Sequence, residues 1–141
     1  MHKYVIEGGF PLKGRVRASG NKNAALPCIA AAAMAGEPVV LRNVPEIEDV
    51  QVMLAILSSL GAAVERLGPN AWRIDSAGIS RTAISAEHAR KVRASILFAG
   101  PLLARFGEVE LPPPGGDVIG RRRIDTHVLA LEELGARIEI D

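Results

Sequence analysis

Leu60-Gly61-Ala62 recurs downstream as Leu134-Gly135-Ala136, and Val39-Val40-Leu41 as Val109-Glu110-Leu111. Matched punctuation of this kind marks a repeated supersecondary unit, and it constrains the fold more than any single segment. In the first copy, Ser19–Asn23 is a polar turn with helix-cap residues, and an alanine-rich helix runs on to Ala35. Pro27 fits such a helix only in or near its first turn, and Gly36 supplies the terminal stop. Pro38–Arg42 reads as a buried strand. Glu46–Leu60 is an amphipathic helix with Ile47, Val50, Met53, Leu54 and Leu57 on one face, ended by Gly61. Ala63–Arg66 and Trp72–Asp75 then form a hairpin across Gly68-Pro69-Asn70.

The second copy has a helix over 94–106, kinked near Gly100-Pro101 and stopped at Gly107, and a strand Glu108–Leu111. A loop, a helix Ile124–Leu134 and a strand Arg137–Ile140 complete it. Two further strands, Lys3–Glu7 and Gly14–Ala18, open the chain. Strands alternating with helices define an α/β plan. The divisions are 1–18 for the opening strands, 19–82 for the first unit and 83–141 for the second. The second unit lacks its closing strand, with no cap or polar tail at Asp141, so the pattern reads as cut rather than finished.

Apolar residues make up 48% of the chain and aromatics only 4%, so the core must be built from Ala, Leu, Val and Ile. The formal net charge of +1 leaves no electrostatic footprint for nucleic acid beyond one arginine triplet. Cys28 is the single cysteine, which excludes an internal disulfide; inside an apolar helix it reads as a small buried side chain. The start lacks a signal-peptide core, and the apolar stretch 24–36 is too short to span a bilayer. A cytoplasmic protein is expected. His2, His88 and His127 are scattered, without metal-ligand spacing, so neither metal nor cofactor is expected.

Three basic or acidic constellations stand at turns. Gly20 and Lys22 precede a helix whose open N–H groups suit an anion. Arg90-Lys91-Val92-Arg93 is a second basic turn; Arg93 aligns with Asn23 in the repeat, so the two fall on equivalent rims of one cleft, whereas Arg90 and Lys91 read as an exposed face. The third is Pro112–His127: a proline run, Gly115-Gly116 where the backbone can swing, Asp117 at the tip, and Arg121-Arg122-Arg123 before a helix. It reads as a lid bearing an acid over a phosphorylated substrate or as a solvated loop with a charged flank. The extra length of the second copy lies in this loop.

Ser19-Gly20-Asn21-Lys22-Asn23-Ala24-Ala25-Leu26-Pro27, Arg93-Ala94-Ser95-Ile96, Gly100–Gly107 and Pro114-Gly115-Gly116-Asp117-Val118-Ile119-Gly120 resemble the UDP-N-acetylglucosamine 1-carboxyvinyltransferases of bacterial cell-wall synthesis. The likeness runs in order along nearly the whole chain and covers about a third of that family's length. It implies repeated βαβαββ units of the inside-out α/β barrel, two of the three units of one domain, with the opening strands packing on a second domain. The activity implied is transfer of the enolpyruvyl group of phosphoenolpyruvate to the 3′-hydroxyl of UDP-N-acetylglucosamine, without a cofactor. On this resemblance Lys22 and Asn23 bind phosphoenolpyruvate and Arg93 the nucleotide sugar. Arg122 neutralises phosphate, and Arg123, Ile124, Asp125 and Thr126 lie along the UDP-sugar.

Three positions depart from the family pattern. Asp117 stands where most members place cysteine, Arg123 where well-known members have proline, and Leu97 where some have an aromatic. A carboxyl can act as the lid's acid if closure raises its pKa. As a poorer nucleophile than a thiolate, it implies resistance to fosfomycin. The related shikimate 3-phosphate enzymes usually have a serine-rich turn where Asn21-Lys22-Asn23 stands. Without a second domain the isolated chain is expected to be inactive. The alternative is a non-catalytic nucleotide-sugar- or phosphate-binding half-domain, or one chain of a split assembly, self-associating through faces such as that of Val50, Met53 and Leu57.

Overall fold

A computed structural model describes residues 3–116 and 123–140. In chain order it contains α1 (Lys22–Ala32), β1 (Val39–Arg42), α2 (Glu48–Leu60), β2 (Ala63–Gly68) and β3 (Ala71–Asp75). These are followed by α3 (Ala86–Lys91), a 3-10 helix (Arg93–Phe98), α4 (Ala99–Phe106) and α5 (Asp125–Glu133). The sheet is antiparallel in the order β1-β3-β2, with Leu41 opposite Trp72 on one side and Val64 opposite Ile74 on the other. A register shift between Arg66 and Gly68 precedes the tight turn, where Asn70 takes a left-handed φ of 55°.

The repeat appears as a repeated stop. Gly61 (φ 114°) and Gly135 (φ 96°) both enter the left-handed region. Beyond each, an alanine N–H reaches back five residues, Ala62 to the Leu57 carbonyl at 3.0 Å and Ala136 to Leu131 at 2.9 Å. Only the first is packed against another segment. A Cβ on Gly61 would lie 2.4 Å from the Gly78 carbonyl oxygen, and one on Gly78 would lie 2.7 Å from that of Gly61. The Ser80 and Arg81 N–H groups bind the Leu60 carbonyl, so the chain leaving β3 wraps the end of α2.

One apolar core joins both halves of the sequence. Ile29, Ile56, Leu57, Leu60, Ile74, Phe98 and Leu102 are fully buried in it, and Phe98 is its sole fully buried aromatic among the described residues. Val50, Met53 and Leu57 are fully buried, so that face of α2 offers no surface for self-association. Burial in fact extends past one stripe, to Val52, Ile56 and Leu60, while Ile47 is the partly exposed N-cap.

Several expectations from the sequence are corrected. Pro27 lies in the second turn of α1, where it denies the Asn23 carbonyl its usual donor. Together with Cys28 it occupies the exposed face, opposite Leu26, Ile29 and Ala30; an alanine-rich helix carries too little contrast to show which face is which. α1 stops at Ala32, before Gly36, because its last carbonyls are taken from outside: Ser76 Oγ donates to Ala32 at 2.7 Å and Arg105 to Ala33 at 2.6 Å. β1 is an edge strand of alternating burial rather than a buried one. The single helix expected over 94–106 is divided, 3-10 over Arg93–Phe98 and α over Ala99–Phe106, with Pro101 in the first turn of α4. Segments 3–7, 14–18 and 137–140 form no strand, and 108–111 contributes a single parallel bridge, Glu110 to Ala83. A strand exists only by pairing, and the described residues supply these segments no ladder. Accordingly Tyr4, Ile6, Leu12 and Val16 are exposed.

Gly61→Ala combines a left-handed backbone with the Gly78 contact and should cost on the order of 2 kcal/mol or more, lowering Tm by about 5–10 °C in thermal circular dichroism. Gly36→Ala, with open space and no positive φ, should leave Tm within about 2 °C. The Asn70 N–H, and after it the Arg66 guanidinium, hold the Glu46 carboxyl below its usual value. A depressed carboxyl contributes stability above its unfolded pKa and loses it as pH falls through the folded one. Glu46→Gln should therefore lower Tm slightly at pH 7, with the difference from wild type vanishing on acidification below about pH 4.

Candidate active site

Two close backbone approaches bring the sequence-predicted residues together. A Cβ on Gly20 would sit 1.7 Å from the Asn43 carbonyl oxygen, so the turn before α1 rests directly on the loop before α2. The two helices therefore begin side by side. Asn21 caps α1 by accepting the Ala24 N–H at 3.2 Å, and Lys22 in the first turn forms an ion pair with Asp49 in the first turn of α2. Both partners are partly exposed, so the pair contributes little stability; its effect is to orient the ammonium.

The opposite wall is built from α3 and the 3-10 helix after it. Ser85 caps α3 by accepting the His88 N–H, so Arg90 and Lys91 lie in a helix rather than in the turn expected for them. Six residues are too few for periodicity to reveal. Gly115 donates to the Ala89 carbonyl at 2.9 Å and Gly116 to Arg90 at 3.0 Å. A Cβ on Gly115 would come within 1.8 Å of the Arg90 carbonyl oxygen. Gly115 is thus needed for contact, and the root of the Pro112–His127 loop is tied to the end of α3. The buried Ser95 hydroxyl also reaches the Ala89 carbonyl, at 3.4 Å.

Val92 is extended, and Arg93 then starts the 3-10 helix. Its guanidinium donates to the Arg123 carbonyl at 3.0 Å, across the loop from Gly116. Arg123 in turn pairs with Asp125, Nε to Oδ2 at 2.5 Å, which holds that carboxyl below its usual range.

Between the walls lies an open cleft of two lobes sharing Lys22, Asp49 and Arg93. The charged lobe, about 370 Å³, adds Glu48, Arg90, Lys91 and Gly116. The other, about 470 Å³, adds Asn23, Leu26, Pro27, Ala94, Ile96 and Leu97. A charged recess beside a partly apolar one suits a ligand with an anionic group and a larger, less polar body.

Lys22, Asn23 and Arg93 are thereby brought together, Asn23 and Arg93 on one lobe as their equivalence in the repeat implies. Arg123, Ile124, Asp125 and Thr126 lie at the start of α5, linked to the cleft through Arg93 but lining neither lobe. Asp117, Arg121 and Arg122 fall outside the described residues. Sequence reasoning missed Glu48 and Asp49, since acids in a first helical turn are ordinary and nothing local marks them as facing Lys22. Arg90 and Lys91 are exposed as expected, yet they face the cleft. Among the described residues no three His, Cys, Asp or Glu side chains gather to hold a metal, and no helix is long and apolar enough to cross a membrane.

This arrangement has known counterparts. The model of the EPSP synthase (3-phosphoshikimate 1-carboxyvinyltransferase) family matches residues 6–141. A UDP-N-acetylglucosamine 1-carboxyvinyltransferase of Treponema denticola is 60% identical over 141 residues, covering 100% of this chain and 33% of the relative. That of Treponema pallidum is 58% identical with the same coverage, and that of Bradyrhizobium diazoefficiens is 54% identical over 96% of this chain and 32% of the relative. The chain spans about a third of the length of these curated relatives. The crystal structure of the enolpyruvyl transferase NikO from Streptomyces tendae superposes with a TM-score of 0.62 at 31% identity, over 71% of this chain and 23% of that one. Matched along almost its whole length and sharing the enolpyruvyl transferase α/β fold, this chain belongs to the EPSP synthase family of carboxyvinyltransferases.

Proposed function

We propose that the chain carries one wall of a UDP-N-acetylglucosamine 1-carboxyvinyltransferase site, the activity that commits the sugar to peptidoglycan synthesis in the cytoplasm. The single observation that supports this best is the convergence of Lys22, Asn23 and Arg93 on one cleft beside the root of the loop that bears Asp117. The names of the similar relatives favour UDP-N-acetylglucosamine over a shikimate phosphate as acceptor.

In this reading Lys22 and Asn23 receive phosphoenolpyruvate, with Arg122 as a second cation on its phosphate. Arg93 takes the nucleotide sugar, whose length runs toward Arg123, Ile124, Asp125 and Thr126. The sugar 3′-hydroxyl gives up its proton to a base of the facing wall as its oxygen bonds to C2 of phosphoenolpyruvate, while C3 gains a proton. Loss of a C3 proton then restores the double bond as the C2–O bond to phosphate breaks. Asp117 supplies the proton as general acid, the role cysteine has in most members. A carboxyl held near phosphate and closed off from water stays protonated at higher pH than one in solvent, which suits it to donate. Lys22, oriented by Asp49, stabilises charge on the departing phosphate.

The reaction needs a facing wall as well. The 141 residues alone are therefore expected to bind without turnover: calorimetry should detect UDP-N-acetylglucosamine, Arg93→Ala should weaken that binding about tenfold, and a coupled assay should find no phosphate release from the two substrates. Binding that is unaffected by Arg93→Ala would overturn the assignment of the cleft. Measurable turnover would show that the chain needs no second wall. Fosfomycin should leave Asp117 unmodified in intact-mass and peptide spectra, since a carboxylate attacks the epoxide poorly; an adduct on Asp117 would refute its role as a poor nucleophile.

A further inference from the structure

We propose that Arg90 is a further substrate-binding residue of this site, its guanidinium receiving a phosphoryl group in the charged lobe next to Lys22. The inference rests on the function proposed above and names a contact within the same cleft.

Among the described residues four cationic side chains line that lobe. Lys22 is paired with Asp49, Lys91 with Glu87 one turn back at 2.8 Å, and Arg93 with the Arg123 carbonyl. The Arg90 guanidinium makes no hydrogen bond or ion pair among the described residues. Its main chain, by contrast, is held firmly. The Arg90 carbonyl accepts the Gly116 N–H, the preceding carbonyl accepts that of Gly115, and Gly115 packs so closely on Arg90 that no side chain fits between them. The root of the side chain is thus fixed in the cleft wall while its charged end lacks a partner.

The surroundings do not supply one. The Ala89 and Arg90 carbonyls near the end of α3 are already occupied by the loop glycines. Of the two carboxylates that line the lobe among the described residues, Asp49 is engaged by Lys22, and Glu48 makes no pair with Arg90. Among the described residues cations therefore exceed acids, and a dianionic phosphoryl group would balance them. A guanidinium suits this task because its planar fork donates two parallel hydrogen bonds to phosphoryl oxygens, whereas an ammonium acts as a point charge.

Phosphoryl groups occur in both proposed substrates, and the test separates them. The 141-residue chain is titrated with phosphoenolpyruvate and, separately, with UDP at low salt, alongside Arg90→Gln, Arg90→Lys and Lys22→Ala. Circular dichroism verifies that each variant is folded. Arg90→Gln should raise Kd about tenfold for at least one ligand, with Arg90→Lys intermediate. A loss confined to phosphoenolpyruvate assigns Arg90 to the transferred phosphate, and one confined to UDP assigns it to the diphosphate. Wild-type affinity for both ligands in Arg90→Gln, with Lys22→Ala impaired, overturns the inference while the function stands. If the wild-type chain binds neither ligand, or Lys22→Ala binds both normally, the functional reading fails and the inference fails with it.

Discussion

A methyl group on Gly20 would occupy space already filled by the Asn43 carbonyl oxygen, and the site is organised around that absence of a side chain. Because backbone meets backbone there, α1 and α2 begin at the same place. Lys22 and Asp49, far apart in sequence, become neighbours. The same device recurs on the opposite wall, where Gly115 lies against the Arg90 backbone and anchors the loop root to α3. Both glycines invite a reading as hinges. Close approach, not freedom of rotation, is what the structure requires of Gly20 and Gly115, whereas Gly116 adopts a left-handed φ of 89°.

Polar groups from distant segments then set the orientation of α1. Its N-terminal turn is held by its own Asn21, but its C-terminal carbonyls are bound by Ser76 and Arg105, from beyond β3 and from α4. Arg105 also lies over the Phe106 ring, 5.0 Å from its centre. The helix that presents Lys22 and Asn23 is therefore gripped at its far end by both halves of the chain. Such ties matter for a helix carrying an internal proline, whose own ladder is one bond short. The exposed ion pairs along the cleft add little to stability by comparison, and their contribution is geometric.

Much of the architecture was legible because local rules and tertiary packing agree. α2 declared itself by its apolar spacing, the β2–β3 hairpin by Pro69-Asn70, and the helix stops by Gly61, Gly107 and Gly135, all three of which adopt positive φ. Reading failed where the signal was short, uniform or conditional. Six residues of α3 are too few for a period, and the alanines of α1 conceal which face is buried. The alternating segments near Tyr4 and Val16 have strand character but no ladder among the described residues. For the site, Lys22, Asn23 and Arg93 could be picked out as polar residues at turns with an internal equivalence. Asp49 and Arg90 could not, because only the folded chain shows what they face.

By itself the sequence determined the alternation of helices and strands, a nearly aromatic-free aliphatic core and the family to which the chain belongs. It also determined that position 117 carries a carboxyl. These are properties of composition, spacing and residue type, and each is expressed within a dozen or so neighbouring positions. Only the tertiary structure decided that Lys22 meets Asp49, that both ends of the loop meet the Ala89–Arg93 segment, and that the Arg90 guanidinium faces the cleft without a partner among the described residues. Pairings of that kind depend on how separate helices are seated against one another, and seating is governed by backbone contacts such as Gly20 on Asn43 and Gly115 on Arg90. No local pattern encodes such contacts, because the two sides belong to segments brought together only when the shared core closes.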